Sequence, residues 1–149
     1  MHPTELFLSH SSRDRASVDR VAEVLKRHGI PVWYSRVSIR GAQQWHDEIG
    51  AALRRCDWFA VLLSRHSVRS MWVKRELLFA LQRSRFEGRI VPILLNPCDA
   101  DQLSWTLSLF ETIDMTNDFN DGCREFLRIW GIGYVPICSK RRGAVRKRK

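Results

Sequence analysis

Long apolar runs are missing from this 149-residue sequence, and none approaches the roughly 20 residues that a membrane-spanning helix requires. The opening stretch, MHPTELFLSH, has no basic segment followed by an apolar one, so no secretory signal is read there. Both absences point to the cytoplasm. Cysteine is sparse: Cys56, Cys98, Cys123 and Cys138 form no C-x-x-C pair and no Cys/His group with zinc-finger spacing. Reduced, structural thiols are therefore expected, and no carboxylate cluster reads as a metal site. Glycine-rich phosphate loops are also lacking. Without G-x-G-x-x-G, G-x-x-x-x-G-K-[ST] or G-x-S-x-G, the dinucleotide dehydrogenase, P-loop and serine-hydrolase readings lose support.

Positive charge is plentiful but unevenly placed. The net charge is +9, yet residues 140–149 alone hold seven cations and no anion. The rest of the chain carries 18 cations against 16 anions, which is close to balance. The sequence thus divides into a domain over 1–135 and a basic tail over 136–149, expected to be disordered because like charges repel and nothing apolar can pack. The tail reads first as a solubilising extension and second as an anchor for phosphates or anionic lipid. Nothing in the folded part suggests nucleic-acid binding.

Hydrophobic patterning alternates between period 2 and period 3.6. Strand-like runs at residues 5–9, 31–34, 58–63, 90–95 and 110–114 are separated by helix-period segments. The first helix carries Val18, Val21, Ala22 and Leu25 on one stripe and stops at His28-Gly29. The second places Trp45, Ile49, Ala52 and Leu53 together. The third, about 71–85, follows the cap candidate Ser70 and shows Val73, Leu77, Ala80 and Leu81; the last, about 119–130, shows Phe119, Cys123, Phe126, Leu127 and Trp130. Pro92 marks the fourth strand as irregular or partly unpaired. The segment 96–108 reads as a loop with at most one short helical turn. This alternation argues for one α/β domain, a flavodoxin-like five-stranded parallel sheet of order 2-1-3-4-5 with helices on both faces. Ligands of such sheets bind outside the carboxyl ends of the strands, where the order reverses. The loops there are 10–14, 35–44 and 64–71.

Trp72 and Glu76 stand four apart on the third helix, on a face other than the core stripe and next to that crevice. From spacing alone the pair reads first as a surface glutamate near Lys74 or Arg75 beside a half-buried tryptophan, since W-x-x-x-E is a weak pattern. Its chemical reading is a carboxylate that stabilises an oxocarbenium-like transition state or binds ribose hydroxyls, with the ring stacking on a base or sugar. The loop Ser9-His10-Ser11-Ser12-Arg13-Asp14 leads into a helix N-terminus and could seat a diphosphate; equally, Ser12 or Asp14 could simply cap the helix. His10 is a candidate base or a packing residue. Strand alternation allows only one of Trp33 and Tyr34 to face the crevice. Arg40-Gly41 is a loop that could touch phosphate or a neighbouring chain.

Taken in order, these stretches resemble a bacterial Toll/interleukin-1 receptor (TIR) domain. Phe7-Leu8-Ser9-His10-Ser11-Ser12-Arg13-Asp14 resembles the family's first-strand box, and Val32-Trp33-Tyr34 its V-W-Y-D box, with Ser35 in place of the aspartate. Gly41 with Trp45, Ile49, Ala52 and Leu53 resembles the BB loop and the helix after it. Residues 59–64 resemble the third-strand box, and Trp72-x-x-x-Glu76-Leu77-x-x-Ala80-Leu81 the W-x-x-x-E-L-x-x-A-L motif.

The resemblance implies an enzyme that cleaves NAD+ as substrate, without a separate cofactor, to nicotinamide and ADP-ribose or a cyclic isomer. It implies Glu76 as the catalytic glutamate, and Ser9, His10 and Ser11 along the diphosphate and ribose. Trp33 would stack near the nicotinamide and Trp72 would wall the pocket, with Tyr34, Arg40, Gly41 and Trp45 as further binding residues. It also implies head-to-tail self-association through the BB loop, a role in antiphage defence or virulence, and a downstream effector that reads the nucleotide product. The alternative is a non-catalytic module that binds other TIR domains; scaffold members commonly lack the glutamate, which is present here.

Overall fold

Trp58–Leu63 is buried at every position and pairs on both sides, so the third strand is the centre of the sheet. The computed structural model describes residues 2–35 and 42–137, with side chains left out for 42–45. In chain order the regular elements are β1 (Leu6–Ser9), α1 (Arg15–Arg27), β2 (Val32–Trp33), α2 (Ala42–Arg55), β3 (Trp58–Leu63), α3 (Met71–Leu81), β4 (Ile90–Leu94), β5 (Ile113–Asp114) and α4 (Phe119–Arg128). All neighbouring strands are parallel, and the sheet order is β2-β1-β3-β4-β5. The expected fold class is what forms.

Strand alternation sorts the core into two halves. Leu6, Leu8, Ala60, Leu62 and Ile93 face α1 and α4, where Val18, Val21, Leu25, Phe126 and Trp130 meet them. Phe7, Phe59, Val61 and Leu63 face α2 and α3, against Ile49, Leu53, Val73, Leu77 and Ala80. Phe7 and Phe59 stack with centroids 5.5 Å apart across the paired strands. The helix stripes read from spacing are the stripes that pack, the side chain of Trp45 lying outside the described residues.

Boundaries shift where tertiary contacts outweigh local pattern. The third helix ends at Leu81, four residues before its expected end, and the chain re-forms as a 3-10 turn at Ser84–Phe86. That break turns Phe86 into the core against Phe59, and aims Arg85 at the carbonyls of Leu53 and Cys56, which close the end of α2. The segment before β5 forms two 3-10 turns, Ala100–Gln102 and Trp105–Leu109, capped by Asp99 and Ser104. β5 shrinks to two residues because only Ile93 and Leu94 offer it partners. Pro92 sits where the sequence suggested. Leu95 N–H donates to Leu63, so the proline, of opposite parity, turns its missing donor away from β3, towards the stretch that β5 does not reach.

Residues 132–137 run back over α1. His28 Nε2 accepts from Val135 N–H at 3.0 Å, Arg27 donates to its carbonyl at 2.6 Å, and the Tyr134 hydroxyl reaches Asn120 at 2.6 Å. The basic residues 140–149 lie outside the described residues. No helix among the described residues is long and apolar enough to cross a membrane.

Candidate active site

Ser9 is the last residue of β1 and shares the parity of Phe7, so its side chain points towards α3. There it donates a hydrogen bond of 2.6 Å to Glu76 Oε1. Glu76 sits one turn into α3, flanked by the inward-facing Val73 and Leu77, and is only 8% exposed. The surface-glutamate reading is therefore corrected: the helix turns this carboxyl inward at the crevice rather than towards Lys74 and Arg75, both of which are exposed. Burial pushes the carboxyl up to about 7, against the opposing pull of the Ser9 hydroxyl, which favours the anion.

Above Glu76 opens a cavity of about 280 Å³. β1 contributes Phe7 and Leu8, the following loop His10, Ser11 and Ser12, and β2 contributes Trp33. Arg15, Ser35, Ser70 and Trp72 complete the wall with Glu76. Trp33 leans on Phe7 with centroids 5.1 Å apart. Trp72 is 38% exposed and carries the Arg75 guanidinium over its ring at 5.3 Å. The cavity thus has a carboxyl floor between two indole walls, at the carboxyl ends of β1 and β2 and the start of α3, beside the point where the strand order reverses between β1 and β3.

Most residues singled out from sequence meet here: His10, Ser11, Trp33, Trp72 and Glu76 line the cavity, and Ser9 holds Glu76 from behind. Tyr34 does not line it. Alternation turns Tyr34 to the α1 face, where its hydroxyl donates to Asp19 at 2.9 Å and its ring meets His10 edge-on. Arg40 and Gly41 lie outside the described residues, and so does the side chain of Trp45. His10 Nδ1 donates to the Ser11 carbonyl at 2.9 Å, and burial lowers its pKa, which favours the neutral ring.

The cap assignment also changes. Ser11, not Ser12, caps the 3-10 turn Ser12–Asp14, by accepting from Arg13 N–H at 3.1 Å. Asp14 makes no side-chain cap bond; its carboxyl is buried and accepts from the Ser64 hydroxyl at 2.5 Å. Ser64 in turn accepts from the N–H groups of His66 and Ser67, and the Ser67 hydroxyl accepts from Ser64 N–H. The loops after β1 and β3 are tied together by that network. Ser70 caps α3 as expected, accepting from Val73 N–H at 3.2 Å.

Arg15 is the site residue that spacing alone did not reveal. It reaches the cavity and donates to the Ser35 carbonyl at 3.3 Å. A signal existed: Arg15 opens α1, where the helix dipole disfavours a cation, and such a breach of local preference singles the position out. Among the described residues, the thiols offer no competing nucleophile. Burial raises Cys56 and Cys123 to about 12, and Cys98 is also raised.

A family model described as "TIR domain" matches residues 6–127. The chain belongs to the TIR domain family. Among curated proteins, this TIR domain is 31% identical over 119 residues to the NAD(+) hydrolase PdTIR of Paracoccus denitrificans, covering 71% of the chain and 40% of that protein. It is 28% identical over 74 residues to the 2' cyclic ADP-D-ribose synthase BtTIR of Bacteroides thetaiotaomicron, covering 49% of the chain and 26% of that protein. The chain therefore spans well under half the length of these relatives. Among solved structures, the TIR domain of the Toll-related receptor TRR-2 of Hydra magnipapillata superposes with a TM-score of 0.68 at 17% identity, covering 83% of the chain and 95% of that domain. At that identity the likeness establishes the fold.

Proposed function

We propose that this TIR domain cleaves the bond between nicotinamide and ribose in NAD+, with Glu76 as the catalytic carboxylate. The observation that carries the reading is the Glu76 carboxyl, buried at the floor of the cavity and oriented by Ser9, between Trp33 and Trp72. The names of the bacterial relatives, a hydrolase and a cyclic ADP-ribose synthase, support it.

The chemistry suits one carboxylate. Nicotinamide is bound to ribose as a cationic pyridinium and leaves as a neutral molecule, so no general acid is needed. Positive charge moves onto the ribose as the bond breaks, and a fixed anion beside it is stabilising only in proportion to that charge. Low polarity around Glu76 strengthens the interaction. The indole faces of Trp33 and Trp72 suit a cationic ring in the ground state. Water capturing the ribosyl cation gives ADP-ribose; a nitrogen or oxygen of the same molecule gives a cyclic isomer. Ser9 positions the carboxyl, and His10, Ser11 and Arg15 border the remaining space.

The second reading, a TIR–TIR contact module, draws on the outer face of α3, where Met71, Trp72 and Leu78 are exposed. One assay separates the two. Concentrated domain is incubated with NAD+ and nicotinamide is followed by chromatography, with products identified by mass. Turnover that Glu76→Ala abolishes supports the enzyme. Full turnover in Glu76→Ala refutes the site, and no NAD+ loss in the unmodified domain favours the contact module. Self-association through the BB loop, a role in antiphage defence and an effector that reads the product belong to the same proposal.

A further inference from the structure

Ser11, Ser12 and Ser70 form a ridge, and across it lies a second concavity of about 550 Å³. Its remaining walls are Arg13, Arg65, His66 and Arg69. All three arginines are exposed, and among the described residues no carboxylate lies within ion-pair distance of them. Three guanidinium groups around one hollow repel each other, and an anion bound there relieves that repulsion. The hollow is also well supported. Arg65 N–H donates to Asn96, Arg13 N–H is held by Ser11, and the buried Asp14–Ser64 bond fixes the two loops that carry the arginines.

We infer that this groove binds the diphosphate of the dinucleotide whose nicotinamide riboside half occupies the Glu76 cavity, an inference that rests on the function proposed above. The cavity, at about 280 Å³, is at the low end for a small-ligand site and far too small for a dinucleotide, so most of the substrate lies outside it. The two hollows share a wall, so a ligand that overfills the first crosses directly into the second. Guanidinium forks match phosphate oxygens in pairs, which a lysine in the same place would not do. Arg65 and Arg69 thus set a preference for phosphorylated substrates over the bare riboside.

The test uses Arg65→Gln with Arg69→Gln in the otherwise unchanged chain, with thermal unfolding to confirm an intact fold. Calorimetry with inorganic diphosphate is independent of turnover. The unmodified protein binds it with an affinity that falls with added salt, and the double variant binds about tenfold or more weakly, the loss expected for one charge-assisted contact. In the nicotinamide assay, the same variant raises KM for NAD+ by a similar factor with kcat unchanged, while cleavage of nicotinamide riboside stays at the unmodified level. Equal diphosphate affinity in both proteins overturns the groove. Turnover of neither substrate by the unmodified protein refutes the enzymatic reading alone, leaving the calorimetric result to decide whether the groove binds anions. A KM increase shared by the riboside also overturns the inference, since it places the arginines' effect at the cavity.

Discussion

The Ser9 hydroxyl stands 2.6 Å from Glu76 Oε1 and is the hydrogen bond that opposes the effect of burial on this carboxyl. Because Ser9 donates, it favours the anion, and its removal leaves desolvation unopposed. If the ionised form is the working one, the rate of nicotinamide release rises with pH through about 7 and levels off above it. Ser9→Ala moves that midpoint upward by about one pH unit, the order expected for losing a hydrogen bond to a charged group. Activity at neutral pH then drops severalfold and recovers at pH 9. A pH–rate profile from 5.5 to 9.5 checks this; lower activity at every pH with an unmoved midpoint would mean that Ser9 only shapes the site.

Glu76 also costs stability at neutral pH. Its carboxyl titrates at about 7 in the folded domain against 4.5 in an unconstrained chain. Between those values the folded state holds a proton that the unfolded state has released, so stability falls as pH rises through this window and stays low above it. The penalty above pH 7 is at most about 3.5 kcal/mol. Glu76→Gln keeps an acceptor for Ser9 and has no charge to bury. Its melting temperature should therefore exceed that of the unmodified domain at pH 8, with the difference closing towards pH 4.5. Thermal unfolding at pH 5, 6.5 and 8 measures it. A constant difference across that range would mean that Glu76 does not titrate with a raised pKa.

Gain of stability on loss of the carboxylate is what a functional position predicts, and it bears on how the site was legible in sequence. Trp72 and Glu76 were readable as a pair because a helix sets residues four apart on one face. What spacing could not supply was depth: whether that face looked into the crevice or out to solvent depends on Ser9, 67 residues earlier in the chain. Strand order and helix stripes were legible because burial repeats with fixed periods. The early end of α3 was not, because it is decided by Phe86 and Arg85 finding partners on β3 and α2. Whether the Asp14 side chain caps the helix was not legible for the same reason. A carboxyl just before a helix looks like a cap, and only the folded chain brings Ser64 to it.

The Asp14–Ser64 contact should then be worth more than a cap. Both side chains are buried, the bond is 2.5 Å long, and Ser64 Oγ also receives the N–H groups of His66 and Ser67. Ser64→Ala strands a buried carboxyl and two backbone donors at once, and a loss of about 2–4 kcal/mol follows. Asp14→Asn keeps an oxygen that can accept from Ser64 and costs less. Combined in one chain, the two changes should cost less than their separate effects together, because Asp14→Asn removes the buried charge that Ser64→Ala leaves without its donor; a coupling of about 1–2 kcal/mol is expected for residues in one network. Urea unfolding of the two single variants and the double gives that number directly. Strict additivity would mean that the two loops are held by other contacts, and the shared wall between the Glu76 cavity and the arginine groove would then need a different support.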